Sequence, residues 1–260
     1  MLVAERHTRI VSSLRAATVA STEELAHQLE VSAETIRRDL VTLEQQGALT
    51  RIRGGAAIGL PSLTGQEPAF VDRTGLAAVA KERIGRAAAA LAPPGGTLVV
   101  DVGTTALAVA RSLPAAFNGT VATCSLLAAV ELSHRPDAEV LVSGGRLRPG
   151  DLALSNGSTA EFFADFYSDV AFLGSGGVHA DAGLTDYHLD EAAVRRTIIR
   201  NAAAAFVLAD ATKLGRIARH RVVALRGLAG LITDEEPPGD IRAAIEDGGG
   251  RVIVAEGATR

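Results

Sequence analysis

The chain has a single cysteine, Cys124, so an internal disulfide is excluded and a reducing compartment suits it. It has no long apolar run. The stretch from Ala202 to Ala209 falls far short of the roughly 20 residues that a membrane-crossing helix needs. It has no excess of positive charge either. Lysine and arginine number 26 against 30 aspartates and glutamates, a formal net charge of −4. Any grip on nucleic acid must therefore come from local placement of basic residues and not from bulk attraction. Lysine is scarce, with Lys81 and Lys213 alone. Internal repeats and long low-complexity tracts are missing, and the charged opening Glu5, Arg6, His7, Arg9 is not that of a secretory signal. What is present is 260 residues at 47% hydrophobic content, enough for one or two folded domains with real cores. The composition fits a bacterial protein of the cytoplasm.

The first sixty residues carry three helical signals in quick succession. Ala4 to Ala16 places Ile10, Val11 and Leu14 among polar residues. Ser21-Thr22-Glu23-Glu24 reads as a capping box opening a helix with Leu25 and Leu29 on one face. After a short turn at Glu30-Val31, Ser32 caps a third helix, Ala33 to Gln46, stopped by Gly47. Two short helices around a tight turn predict a helix-turn-helix. In the third helix Ile36, Leu40 and Leu43 form the buried stripe. Glu34, Arg38 and Gln45 lie opposite, flanked by Arg37, Thr35 and Thr42. Thr35, Arg37 and Arg38 sit at the N-terminal part, which reaches base edges in such a motif. From Ala48 to Ala56 the chain reads as a β-hairpin wing with Arg51 and Arg53 on one face. Residues 1–57 hold seven arginines and seven carboxylates, so charge alone leaves a helical protein-interaction domain open; the placement of the arginines favours DNA.

The run Val31-Ser32-Ala33-Glu34-Thr35-Ile36-Arg37-Arg38-Asp39-Leu40, with Leu43 and Gly47 following and then Arg51-Ile52-Arg53-Gly54-Gly55-Ala56, resembles the winged helix-turn-helix of the DeoR family of bacterial transcription regulators. The resemblance implies binding to double-stranded operator DNA. The candidate contacts are Ser21, Thr22, Ser32 and Thr35, with Arg37, Arg38 and Thr42 on the third helix and Arg51 and Arg53 on the wing.

Residues 58–75 change character. Gly59, Pro61, Gly65 and Pro68 break any helix, so the stretch reads as an interdomain linker. Within it, Glu67-Pro68-Ala69-Phe70 reads equally as a segment docked on the second domain or as part of a flexible tether. From residue 76 to 260 helical and strand-like patterns alternate, which predicts an α/β domain with a mostly parallel sheet. Ligands of such sheets bind at the carboxyl ends of strands, near a topological switch point. Polar and glycine residues gather at those predicted ends. Asp101-Val102-Gly103-Thr104-Thr105 comes first and opens a helix, the layout of an anion seat. There Asp101 is free either to accept sugar hydroxyls or to orient the loop, and a Thr-capped helix with Asp as a turn former remains the plain alternative. Then come Thr123-Cys124-Ser125, Ser143-Gly144-Gly145, Gly174-Ser175-Gly176-Gly177, and Asp210 with Lys213. Five such ends together favour a shared polar pocket. Lys213 is the natural countercharge for an anion, with a solvated lysine as its alternative. Glu191 opens a helix, where a carboxylate also simply stabilises the dipole.

This half is similar to the DeoR-family sensor domain through Asp101-Val102-Gly103-Thr104-Thr105, Ser143-Gly144-Gly145, Asp169 to Gly174, Gly183-Leu184-Thr185 and Leu208 to Lys213. The resemblance implies a fold like that of ribose-5-phosphate isomerase and a phosphorylated sugar or polyol effector, with no cofactor or metal. Cys124 departs from it, because many members have Asn there. The candidate effector residues are thus Asp101, Gly103, Thr104, Thr105, Thr123, Cys124, Ser125, Gly144, Gly145, Gly174, Gly176, Gly177, Glu191, Asp210 and Lys213. The reading is a homo-oligomeric regulator, more a repressor than an activator, that no membrane holds. A sugar-phosphate isomerase with a DNA-binding arm, using Asp101, Asp169 or Glu191 as base, is the rival. The apolar Phe172 stands where the isomerases carry further carboxylates. A purely architectural DNA protein is the third reading.

Overall fold

A computed structural model describes residues 2–17, 19–45, 48–52, 54–57 and 67–256. They fall into two compact units, 2–57 and 67–256. In the first, α1 (Val3–Ala17) precedes strand β1 (Val19–Ser21), then α2 (Thr22–Leu29) and α3 (Ala33–Gln45) follow, and β2 (Thr50–Ile52) and β3 (Gly55–Ala57) form the wing. Ile10, Leu14, Leu25, Ile36, Leu40 and Leu43 are all buried, so the stripe expected on α3 is the one that packs. The capping box is present in full. Ser21 Oγ accepts from Glu24 N at 3.1 Å, and Glu24 Oε2 accepts from Ser21 N at 2.7 Å. β1 pairs with β3 and adds a strand that the sequence pattern did not suggest. A side chain at Gly55 would run into the carbonyl of Ala20, which is why glycine stands at this crossing. Gly47 and Arg53 lie outside the described residues.

The second unit opens with α4 (Phe70–Gly75) and α5 (Ala78–Ala89). The segment 67–75, read above as the end of a connector, is thus partly helical and belongs to this unit. Next come β4 (Thr97–Val100), α6 (Thr104–Ser112), β5 (Thr120–Thr123), α7 (Leu126–Leu132) and β6 (Glu139–Val142). A small hairpin, β7 (Leu147–Arg148) and β8 (Ala153–Leu154), leads to α8 (Gly157–Ala164) and β9 (Ser168–Leu173). Then β10 (Gly177–His179), β11 (Gly183–Asp186), α9 (Leu189–Asn201), β12 (Ala202–Leu208), β13 (His220–Val223), β14 (Gly230–Thr233), α10 (Gly239–Glu246) and β15 (Arg251–Val254) complete it. Seven strands form one parallel sheet in the order β15-β14-β12-β9-β4-β5-β6. The chain winds outward from β4 to β6, returns to β9 beside β4, and winds the other way, so the switch point lies between β4 and β9. β10, β11 and β13 form a separate antiparallel sheet.

Each strand feeds two cores by its period of two. Leu98, Val100, Val121, Phe172, Phe206 and Ile232 pack with Ile84, Val109 and Leu132 of α5, α6 and α7. Val99, Ala122, Ala171, Leu173 and Val207 pack with Phe163, Ile198 and Ile245 of α8, α9 and α10. Phe172, on a central strand and fully buried, anchors the first of these layers. Phe172→Ala is expected to cost about 3–5 kcal/mol of stability through the cavity it leaves. Urea unfolding measures this, and a loss under about 1 kcal/mol would show that the layer collapses onto the gap.

Candidate functional site

The face of α3 opposite the buried stripe carries exposed Arg37 and Arg38, each 3.4 Å from a Glu34 carboxylate oxygen. Ser32 Oγ caps the helix by accepting from Thr35 N at 3.1 Å, and Thr35 Oγ1 lies 2.8 Å from it. Thr42 is exposed and its hydroxyl donates to Arg38 O at 3.2 Å. On the wing, Arg51 is exposed and anchored by Glu44 Oε1, which accepts from its backbone N at 2.9 Å. Ser21 is half-buried at its cap, whereas Thr22 is only 5% exposed and its backbone N–H donates to Gly54 O. Thr22 thus packs between α2 and the wing through its backbone. Asp39, an acid directly after Arg37 and Arg38, is turned inward. It takes a paired contact from Arg6, with Nε at 2.5 Å and Nη2 at 3.0 Å, and a third from His7 at 3.0 Å. Burial works against its charge, but the hydrogen bonds to Arg6 and His7 win and lower its pKa. The acid thus fastens α1 to α3, and the outward face is left to Arg37 and Arg38 with Glu34 between them.

In the second unit the polar strand ends do meet along one edge of the sheet, but most of them are already satisfied by protein. Asp101, at the end of β4, is 2% exposed. Its Oδ2 accepts from Gly174 N at 2.9 Å, across the switch point, and from Arg195 Nε at 2.5 Å; Cys124 Sγ lies 3.7 Å from Oδ1. Of the two roles open to Asp101, the geometry is that of orienting the loop. The Arg195 guanidinium is 3% exposed and also meets Asp186 and Glu191, so one cation is shared by three carboxylates. Their charges overcome its burial and hold it firmly protonated. Glu191 is more than a helix-opening acid. Burial pushes its carboxyl up to about 7 against the pull of Arg195, with Asp186 adding to the push. Its Oε1 is held in an ion pair by Arg148 Nη1 without hydrogen-bond alignment.

The neighbouring loops are closed in the same way. Thr123 is fully buried and its Oγ1 accepts from Ser125 N at 3.0 Å; Ser125 is 3% exposed and caps α7 by accepting from Ala128 N. Burial, aided by Asp101, raises the Cys124 thiol well above its ordinary pKa. The thiol is a protonated neighbour of Asp101 and not a group presented to solvent. Gly174 and Gly176 are there for close packing: a side chain would meet Val102 O at 2.7 Å and Asp186 Cα at 3.0 Å respectively, and at Gly177 it would strike Arg216. Gly176 N donates to Thr185 O. Asp210 caps the turn Ala211–Lys213 by accepting from Thr212 N and Thr212 Oγ1.

What remains open is a smaller set. Gly103 turns at φ +105 with free space where a side chain would stand, and α6 starts after it with no side-chain cap. Thr104 and Thr105 are half-buried, and among the described residues their hydroxyls carry no hydrogen bond. The first-turn amides of a helix have no intrahelical partner, so this end is a donor cluster beside the switch point. Gly144 and Gly145 are exposed at φ +66 and +119, with Thr159 Oγ1 against Gly145. Lys213 is half-buried, and among the described residues no hydrogen bond or ion pair engages its ammonium. Burial, reinforced by Arg216 and Arg73 and opposed by Asp210 and Glu67, brings its pKa down to about 8. No cluster among the described residues is placed to hold a metal ion.

The residue pattern did not single out Arg195, Arg148, Arg73 or His188. Arg195 had one usable signal, its position four residues after Glu191. Arg195→Met leaves three carboxylates facing one another out of water and is expected to cost about 3–5 kcal/mol, because a broken buried pair strands its partners. Urea unfolding would show this; a loss under about 1 kcal/mol would mean that water reaches the quartet.

The DeoR-like helix-turn-helix domain matches residues 6–59, and the DeoR C terminal sensor domain matches residues 77–235. The glycerol-3-phosphate regulon repressor of Escherichia coli (strain K12) is 34% identical over 243 residues, covering 94% of this chain and 95% of that protein. The HTH-type transcriptional repressor GlcR of Bacillus subtilis (strain 168) is 32% identical, over 97% and 96% of the two chains. Among solved structures, ribose 5-phosphate isomerase a from Methanocaldococcus jannaschii aligns with 53% of this chain and 55% of its own, at a TM-score of 0.40 and 17% identity.

Proposed function

The chain is a DNA-binding transcription regulator of the DeoR family, and we propose that it represses a carbohydrate-metabolism operon until a phosphorylated sugar or polyol fills its strand-end site. Paired readers of a homo-oligomer, dimer or tetramer, grip operator half-sites in the bacterial cytoplasm. Arg37 and Arg38 reach base edges, while Arg51 meets phosphate. The effector changes operator affinity through its preference for one of two states, a coupling of typically ~1–3 kcal/mol.

The observation that carries the effector reading is Lys213, a half-buried cation at the carboxyl edge with no ion-pair partner among the described residues. A charge taken out of water unpaired is costly, and a phosphate monoester, with about −1.5 to −2 charges near neutral pH, relieves that cost. The donors at the start of α6 then serve its remaining oxygens. A relative that represses a glycerol-3-phosphate regulon supports the same class of metabolite. Sensing is favoured over isomerisation by the state of the carboxylates. Asp101 is committed to Arg195 and Gly174 N. Asp169 accepts from Thr97 N at 2.8 Å, at the amino end of the sheet, and Glu191 is enclosed by Arg148 and Arg195.

Arg38→Ala should weaken operator binding by ~1–3 kcal/mol if it reads a base. Unchanged binding in a gel shift with the gene's own upstream DNA would remove Arg38 from the contact. Lys213→Ala should bind DNA as before yet no longer release it with effector. The wild-type response should also fall as pH rises through about 8, where Lys213 loses its proton. The sign follows from the charge: the ammonium form, present below that pH, is the one that attracts phosphate. Calorimetric titration with glycerol 3-phosphate from pH 6.5 to 9.5 tests it, and a flat profile would exclude Lys213 as the countercharge.

A further inference from the structure

One anion already sits among the cations of the second unit, and the protein supplies it. Glu67 Oε1 lies 2.6 Å from Arg73 Nη1, and Glu67 Oε2 lies 3.1 Å from His188 Nε2. Lys213 and Arg148 add their charge from farther off, and together these groups overcome the burial of Glu67 and hold its carboxyl down to about 2. Beside it opens a cavity of about 460 Å³ whose charged lining is Arg73, Arg148, Arg219 and His188 against Glu67 and Asp151. The cations outnumber the carboxylates there.

The segment that carries Glu67 is fastened by polar contacts. α4 has no buried residue, and Val71 is 79% exposed. Its far end is tied by Lys81 Nζ, which donates to Arg73 O at 2.5 Å and Leu76 O at 2.6 Å. Arg73 itself reaches Asp151 at 3.5 Å. A segment held by charge and not by apolar burial is exchangeable against a stronger anion. A phosphate monoester has more charge and more acceptor oxygens than one carboxylate.

We propose that Glu67 is a built-in stand-in for the effector's phosphoryl group: in the ligand-free protein its carboxylate occupies the seat made by Arg73 and His188, with Arg148 and Lys213 adding their charge from farther off, and a phosphorylated ligand displaces it and frees the segment 67–75. This rests on the reading that the second unit takes an anionic effector. It also gives that reading a line of action. The segment 67–75 precedes the rest of the second unit in sequence and follows the DNA reader, so the occupant of the seat sets the state of the chain on the reader's side of that unit.

The test compares wild-type protein with Glu67→Gln by isothermal titration with inorganic phosphate and with glycerol 3-phosphate. Removing a competitor that fills nine-tenths of the seats raises apparent affinity about tenfold, and a gain of that order with either probe is the expected result. Equal or weaker affinity in the folded variant, while the wild type binds, overturns the stand-in and leaves the effector reading in place. If neither protein binds either probe, both fall. Amide hydrogen exchange of wild-type Arg73 and Leu76 decides the matter without any variant. Saturating glycerol 3-phosphate should speed their exchange as α4 is released; unchanged or slower exchange contradicts the proposal.

Discussion

A guanidinium sealed among three carboxylates holds the second unit together at the point where its sheet changes direction. Arg195 comes from α9, Asp101 from the end of β4, Asp186 from β11, and Glu191 from one turn earlier on α9. Through Asp101 the cluster also seizes Gly174 N at the end of β9. Four elements are thereby fixed at one spot by groups that water cannot serve. Such a cluster is stable only if every member is satisfied, since a lone buried charge is costly. The consequence is visible in the odd member: burial pushes Glu191 up to about 7, and Arg148 reaches in to contact it. Arg148 in turn grips Asp151 of the β7–β8 turn, so the network passes from the sheet's switch point to the rim of the cavity.

This frame divides labour among residues that look alike in sequence. Asp101, Thr123, Cys124, Ser125 and Asp210 are spent on building the edge. Gly103 has open space beside it, and Thr104, Thr105 and Lys213 are left without a hydrogen bond or ion pair among the described residues. The chain's two lysines differ in the same way. Lys81 is buried and caps the carbonyls of α4, and Lys213 stands at the end of β12 with no direct partner among the described residues. In the first unit the division recurs. Asp39 is drawn inward to Arg6 and His7, while Arg37 and Arg38 stay exposed. A sequence with as many acids as bases in that unit can still present a basic face.

The winged helix-turn-helix and the alternating α/β half were legible because their signals are local. A capping box, a stripe at Ile36, Leu40 and Leu43, and four-residue β-branched runs each report on neighbours in sequence. The strand ends were legible as a group for the same reason, since a polar or glycine residue after a strand marks its exit. What stayed hidden depends on distance. Nothing near Arg195 announces that Asp101, 94 residues away, will need it. Glu67 and His188 are 121 residues apart. Nothing near Thr22 announces that its backbone N–H will meet Gly54 of the wing, and β11 pairs with β13 across the intervening α9 and β12. Arg53, the other wing arginine, lies outside the described residues.

The central claim is that a phosphorylated metabolite pairs with Lys213 and displaces Glu67 from Arg73 and His188. A crystal structure of the full chain grown with glycerol 3-phosphate tests it most directly. The account expects the phosphoryl group within ion-pair distance of Lys213 Nζ and of the Arg73 guanidinium, and Glu67 withdrawn from Arg73 and His188. A phosphoryl group bound elsewhere, with Lys213 unpaired and Glu67 still on Arg73 and His188, would contradict it.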